Sequence, residues 1–292
     1  MMGILLLTMS IAIQCCSAKE GPVLSEEEKR VAASQHIDST QVPRDSIAER
    51  ELMEHITAEA WMLVEDSSGC LVSAKHAHQR MFPASLTKMM TCLLVLEKGN
   101  MGDSVIATND VCLTKDSRVR PGDGYLMENL LYEMMLQSDN NAACALAKHI
   151  SGDIPAFCQL MNEKAAYLGL DSTHFANPNG MPNDSTYSTA RDLLVLTRYC
   201  MRDSMFAKIV CTEFMDIPLL DGRHLPCHNT NLMLTQYEGS IGVKTGYTRQ
   251  AGACLASAAT RRGKTLFLIL LNSRNQSSRF TESAALLDYG FR

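Results

Sequence analysis

Ser85 and Lys88 stand three residues apart in Ser85-Leu86-Thr87-Lys88, where the sequence predicts the start of a helix. That spacing puts hydroxyl and amine on one face, within hydrogen-bond reach. A serine hydroxyl is a poor nucleophile until a base takes its proton, and lysine is a base only when neutral. Burial and the positive end of a helix dipole both lower a lysine pKa, so a helix start suits the pair. Further on, Ser138-Asp139-Asn140 falls at a predicted turn between two helical segments. There Ser138 can relay a proton towards a leaving amine, and Asn140 can bond a substrate amide or steady Lys88. Lys244-Thr245-Gly246 closes a predicted strand. Lys244 would attract a substrate carboxylate, Thr245 would donate a hydrogen bond to it, and Gly246 would let a peptide approach the backbone. The backbone N–H groups of Ser85 and Tyr247 are the natural oxyanion donors.

Each motif alone has an ordinary explanation: a first-turn serine with a solvated lysine, a helix cap, an exposed strand end. Their order argues against coincidence, as do the separations of 53 residues from Ser85 to Ser138 and 106 from Ser138 to Lys244. Together they specify serine acyl transfer.

The surrounding pattern must bring these three segments together. Ala60 to Val64 and Cys70 to Val72 flank Asp66-Ser67-Ser68-Gly69, the layout of a hairpin. Apolar spacing predicts a mostly buried helix after Pro83, closed at Gly99. Helical spacing then dominates from Leu126 to Leu196, whereas Ile241 to Val243, Ala253 to Ala259 and Leu266 to Leu271 read as strands, with a closing helix around Ala284 to Leu287. Strands at both ends around a helical middle predict an α/β fold: a sheet lobe built from both chain ends with an inserted α-helical lobe. No internal repeat is visible.

Composition sets outer bounds. A chain of 292 residues, 46% hydrophobic, can bury one large core or two smaller ones. A net charge of −5 without a Lys/Arg cluster gives no footprint for nucleic acid. Residues 1–18 read as a signal peptide, with an apolar run from Gly3 to Ile13 and small residues up to Ala18, although no Lys or Arg precedes the run. Export to the periplasm or cell envelope is the expectation. Eleven mostly apolar residues are too few for a hydrocarbon core of about 30 Å. Cys15 and Cys16 raise lipid attachment, but Ile13-Gln14 fits the lipoprotein pattern poorly. Residues 19–55 are polar and read as a tether or a solvated helix, leaving 56–292 as the catalytic domain. Of eleven cysteines, nine follow the signal, an odd number, and several sit in apolar helical patterns where packing is the expected role. His76-x-His78 and His224-x-x-Cys227-His228 are poor zinc patterns, so neither a metal nor another cofactor is expected.

The three motifs are those of penicillin-binding proteins and class A β-lactamases. From about Ala60 to Arg292 the chain resembles the D-alanyl-D-alanine carboxypeptidases of the low-molecular-mass penicillin-binding proteins. The likeness runs through Pro83 to Thr91, Ser138 to Ala143, His174 to Gly180, Ser188 to Asp192, Lys244 to Thr248 and Leu286 to Phe291. It implies a β-lactamase/transpeptidase-like fold and a peptidoglycan stem peptide as substrate, with β-lactams as inhibitors. It also implies that Ser85 is acylated by the penultimate D-alanine, that Lys88 is the base, and that Arg279 is a second contact for the substrate carboxylate. Asp139 stands where the commoner family form has glycine, as in class A β-lactamases. Those enzymes need a deacylating glutamate in a loop after S-D-N, and no Glu lies between Leu170 and Arg191. The carboxypeptidase reading is therefore preferred over a β-lactamase or a non-enzymatic β-lactam sensor, with endopeptidase action open within the same chemistry. The sequence ends at Arg292 without the β-rich domain and terminal amphipathic helix of many relatives, which directs any expected membrane contact to the amino end.

Overall fold

A computed structural model of the chain describes residues 25–39, 52 and 54–292. The signal peptide, the Cys15 and Cys16 lipidation question and most of the 19–55 segment lie outside the described residues. The central feature is a five-stranded antiparallel sheet in the order β2-β1-β9-β8-β7. Strands β1 (Ala60–Glu65) and β2 (Leu71–Lys75) come from the first part of the chain, and β7 (Ser240–Thr248), β8 (Gly252–Arg261) and β9 (Lys264–Ser273) from the last. The sheet is thus built from both ends, as expected.

Alternation along β1 shows why its sequence reads as an unbroken apolar run. Ala60, Met62 and Val64 face a large core shared with the helices, whereas Trp61 and Leu63 face a second, smaller core. Both faces are covered, so neither carries polar residues. The second core is closed by the C-terminal helix α9 (Ser278–Phe291) through Phe280, Leu286 and Leu287.

The inserted lobe holds α2 (Lys88–Lys98), α3 (Met127–Leu136), α4 (Asn140–Ser151), α5 (Ile154–Tyr167), α6 (Ala190–Cys200) and α7 (Ser204–Cys211), and a short α8 (Met233–Gln236) precedes β7. Two small hairpins, β3–β4 (Ser104–Ile106, Gly124–Leu126) and β5–β6 (Phe214–Pro218, His224–His228), were not legible as strands because their apolar runs are too short. The predicted helix after Pro83 begins instead as a 3₁₀ turn, Ala84–Thr87, and stops at Gly99 as expected. All nine described cysteines are free thiols. Of Cys92, Cys144, Cys158 and Cys200, the cysteines in apolar helical patterns, Cys92 and Cys200 are buried and Cys144 and Cys158 half-buried.

In the described part of the 19–55 stretch, α1 (Glu26–Gln35) is a helix with Glu26, Glu28, Lys29, Ala32 and Ala33 exposed, as expected of a solvated helix, but with its other side docked. It opens with a capping box at Ser25 and Glu28 and is docked on α6. Arg30 lies 4.1 Å above the Tyr199 ring and donates to the Tyr199 carbonyl. Arg198, fully buried, donates to Asp66 Oδ1 at 2.9 Å, to the Asp66 carbonyl at 2.8 Å, and to the carbonyls of Ser34 at 3.1 Å and His36 at 2.6 Å. One guanidinium therefore fastens α1, the β1–β2 turn and α6 together. Charge distribution hid this, because the partners of the α1 charges, Tyr199 and Lys164, lie far along the chain on other helices. Replacing Arg198 by Ala orphans buried acceptors and should lower unfolding stability by about 3 kcal/mol, read as a drop in the urea midpoint.

Candidate active site

The 3₁₀ turn explains how Ser85 meets Lys88. At three residues per turn, positions i and i+3 eclipse, and Lys88 Nζ lies 3.0 Å from Ser85 Oγ. Lys88 is fully buried, and its Nζ also reaches Asn140 Oδ1 at 2.8 Å and the Asn179 carbonyl at 2.6 Å. Burial lowers its pKa to about 7, against the opposing pull of Asp139 and Cys144. With the amine neutral, its two N–H bonds can serve Asn140 and Asn179 while its lone pair faces the Ser85 hydroxyl. The helix dipole invoked from sequence is not needed: desolvation is the dominant cause.

Ser138 and Asn140 are held by the residue between them. Asp139 caps α4, accepting from Ala142 N at 2.9 Å, and also accepts from Arg118 N at 2.6 Å, Val119 N at 3.3 Å and the Ser117 hydroxyl. The capping explanation and the functional one therefore hold together. The buried carboxylate fixes the turn, Ser138 adopts φ 61°, and Asn140 points at Lys88.

On the opposite wall, the K-T-G segment lies within β7 rather than at its end. Lys244 is buried, and its pKa is pushed well down by desolvation and by the neighbouring Lys88 and Arg279 charges. Thr245 Oγ1 is 2.7 Å from Thr230 Oγ1. Arg279, also buried, donates to the Gly246 carbonyl at 3.0 Å, while its Nε has no hydrogen-bond partner among the described residues. Lys244 and Arg279 on either side of one threonine, with an arginine donor to spare, make an anion site. Gly246 lets β7 lie against the nucleophile turn: a Cβ there would stand 3.2 Å from Ser85 N and 3.2 Å from the Pro83 carbonyl. The backbone of β7 thereby approaches the Ser85 amide, as a two-donor oxyanion hole requires.

All nine residues singled out from the sequence, Ser85, Lys88, Ser138, Asn140, Lys244, Thr245, Gly246, Tyr247 and Arg279, lie on the segments that border this cleft. Sequence reasoning missed Asn179 as a direct partner of Lys88, Thr230 as a partner of Thr245, and Thr91, whose hydroxyl holds the Pro178 carbonyl at 2.6 Å. The resemblance over His174 to Gly180 was the available signal for Asn179. Its role runs through a backbone carbonyl, which no side-chain pattern reveals. That loop is pinned by Asn177, which accepts from Gly180 N at 2.7 Å and donates to the Met181 carbonyl at 3.0 Å. It presents the Asn179 carbonyl to Lys88 and no carboxylate. Of the two glutamates on the helix before S-D-N, Glu128 lies in its first turn and Glu133 is buried 3.4 Å from Arg118 Nε, paired away from Ser85.

A protein-family model described as D-alanyl-D-alanine carboxypeptidase matches residues 46–275. The chain is 33% identical over 243 residues to the D-alanyl-D-alanine carboxypeptidase DacB2 of Mycobacterium tuberculosis, covering 80% of this chain and 82% of that one. It is 30% identical over 241 residues to DacF of Bacillus subtilis, covering 80% of this chain but 62% of that longer protein. Among solved structures, the Streptomyces K15 DD-transpeptidase superimposes with a TM-score of 0.77 at 31% identity, covering 81% of this chain and 97% of the other. With the helical lobe set into a two-ended sheet and the three motifs meeting at one cleft, the chain belongs to the D-alanyl-D-alanine carboxypeptidase family of serine peptidases.

Proposed function

We propose that the protein removes the terminal D-alanine from peptidoglycan stem peptides through an acyl-enzyme on Ser85. The observation that carries this reading is the buried Lys88 amine, 3.0 Å from Ser85 Oγ with its pKa lowered to about 7. In that role Lys88 takes the Ser85 proton as Oγ attacks the carbonyl of the penultimate D-alanine. The Ser85 and Tyr247 backbone N–H groups receive the oxyanion. Thr245 and Arg279, backed by the Lys244 charge, hold the terminal carboxylate. The scissile C–N bond then breaks, and the departing amine takes a proton passed from Lys88 through the Ser138 hydroxyl. D-alanine leaves, and water hydrolyses the serine ester in a second round of the same proton exchange.

A β-lactam presents a strained amide and a carboxylate with similar spacing, so it enters the same cleft and acylates Ser85. Without a carboxylate in the 177–181 loop, the penicilloyl ester is released slowly. The substrate lies outside the cytoplasmic membrane, which, with the apolar run from Gly3 to Ile13, supports export to the periplasm or cell envelope and a part in maintaining cell shape. Cell fractionation tests that placement: recovery in the cytosol alone would exclude it.

Ser85→Ala should abolish both release of D-alanine from a pentapeptide ending in D-Ala-D-Ala and covalent labelling by fluorescent penicillin. Activity equal to wild type would disprove the acyl-enzyme. The Lys88 pKa, lowered from 10.5 to about 7, makes the amine charged below that value and neutral above it. Acylation kcat/KM should therefore rise with pH through about 7 and then level off, in stopped-flow penicillin labelling. For the penicilloyl adduct, retention of label over many minutes is expected; turnover within seconds would indicate a β-lactamase.

A further inference from the structure

Strand β7 is the outer strand of the sheet and pairs only with β8, so its other edge is open to an added peptide strand. The site imposes a direction on that peptide. With the terminal carboxylate at Lys244 and Thr245 and the scissile carbonyl at the Tyr247 N–H, the residues upstream must run antiparallel to β7, past Thr248 towards Gln250. At about 3.4 Å per residue, roughly 10 Å separates Tyr247 from that point.

A cavity of about 250 Å³ opens there. It is bounded by Gln250 and Ala251 in the turn between β7 and β8, by Phe82 just before the nucleophile turn, and by Asp184 and Tyr187 just after the loop that holds Lys88. Glu59 also lines it, but that carboxylate is occupied, accepting from Asn272 Nδ2 at 2.8 Å and Gln79 Nε2 at 2.6 Å. Two charges differ. The exposed Arg80 guanidinium lies 4.4 Å over the Tyr187 ring and forms no ion pair among the described residues. Asp184, exposed on the facing loop, likewise has no ion pair or hydrogen bond from its carboxylate among them.

From this we infer a subsite for the residue before the D-alanine pair, one that takes a side chain ending in an ammonium and a carboxylate on the same carbon. Arg80, steadied by its aromatic platform, receives the carboxylate, and Asp184 receives the ammonium. A side chain ending in an ammonium alone would meet Asp184 but leave Arg80 as an unanswered like charge. The side-chain length required is modest, because one extended residue plus a four- or five-atom stem spans the roughly 10 Å from the scissile carbonyl to the cavity. The inference rests on the carboxypeptidase reading and names which stem peptide that site prefers.

Three peptides test it: a pentapeptide with meso-diaminopimelate before D-Ala-D-Ala, the same peptide with L-lysine, and Nα-acetyl-D-Ala-D-Ala. Wild type should favour the diaminopimelate peptide over the lysine peptide about fivefold in kcat/KM. Arg80→Ala should erase that preference, and Asp184→Asn should lower the ratio of either long peptide to the short one by a similar factor. Equal kcat/KM for the two long peptides in wild type, or ratios unmoved by both substitutions, would overturn the subsite while leaving the carboxypeptidase reading in place. No D-alanine from any of the three in wild type would overturn that reading, and the subsite with it.

Discussion

Everything about the cleft depends on keeping one lysine amine dry. Moving Lys88 out of water disfavours its charged form, and no carboxylate contacts it directly to reverse the effect. What it meets instead are neutral acceptors, the Asn140 amide oxygen and the Asn179 carbonyl, which orient the amine without fixing a proton on it. A carboxylate in either place would stabilise the ammonium and remove the base. The nearest acid, Asp139, is kept busy by three backbone N–H groups and a serine hydroxyl. Its charge is spent on the turn, so its pull on Lys88 loses to desolvation.

The second cationic group across the cleft follows the opposite logic. Lys244 and Arg279 are buried beside each other and beside Lys88, an arrangement that repels itself. It becomes favourable when an anion arrives, so the free protein holds unfavourable electrostatics that a substrate carboxylate relieves on binding. Until it arrives, the Lys88 and Arg279 charges add to burial in holding the Lys244 pKa down. Binding and charge are therefore linked on this wall: the carboxylate that seats the peptide also favours the charged form of Lys244.

Much of this was readable from the chain because the chemistry lies in short segments with fixed spacing, and because strands covered on both faces leave unbroken apolar runs. The two-ended sheet, the helical insert and the three motif segments all follow from those two signals. What escaped lies in the backbone or in pairs distant along the chain. Asn179 acts through its carbonyl, Thr230 meets Thr245 only because the β5–β6 hairpin returns to the end of α3, and Arg198 anchors a helix 164 residues away through main-chain oxygens. Hydropathy and residue type carry no trace of such contacts, which depend on where the fold places a peptide group.

Gly180 shows how far that backbone control goes. It adopts φ +78°, and a Cβ added there would land 1.9 Å from the Ala84 carbonyl and 3.0 Å from Ser85 N. With Gly246 on the other side, the main chain entering Ser85 is wedged between two stretches of bare peptide. The spacing beside the Ser85 N–H is thus set almost wholly by peptide groups in contact, with the Ala84 methyl as the one side-chain atom close to Gly246. Any adjustment to the rest of the peptide is left to the outer walls, while the part that performs the acyl transfer keeps the spacing that its own peptide groups set.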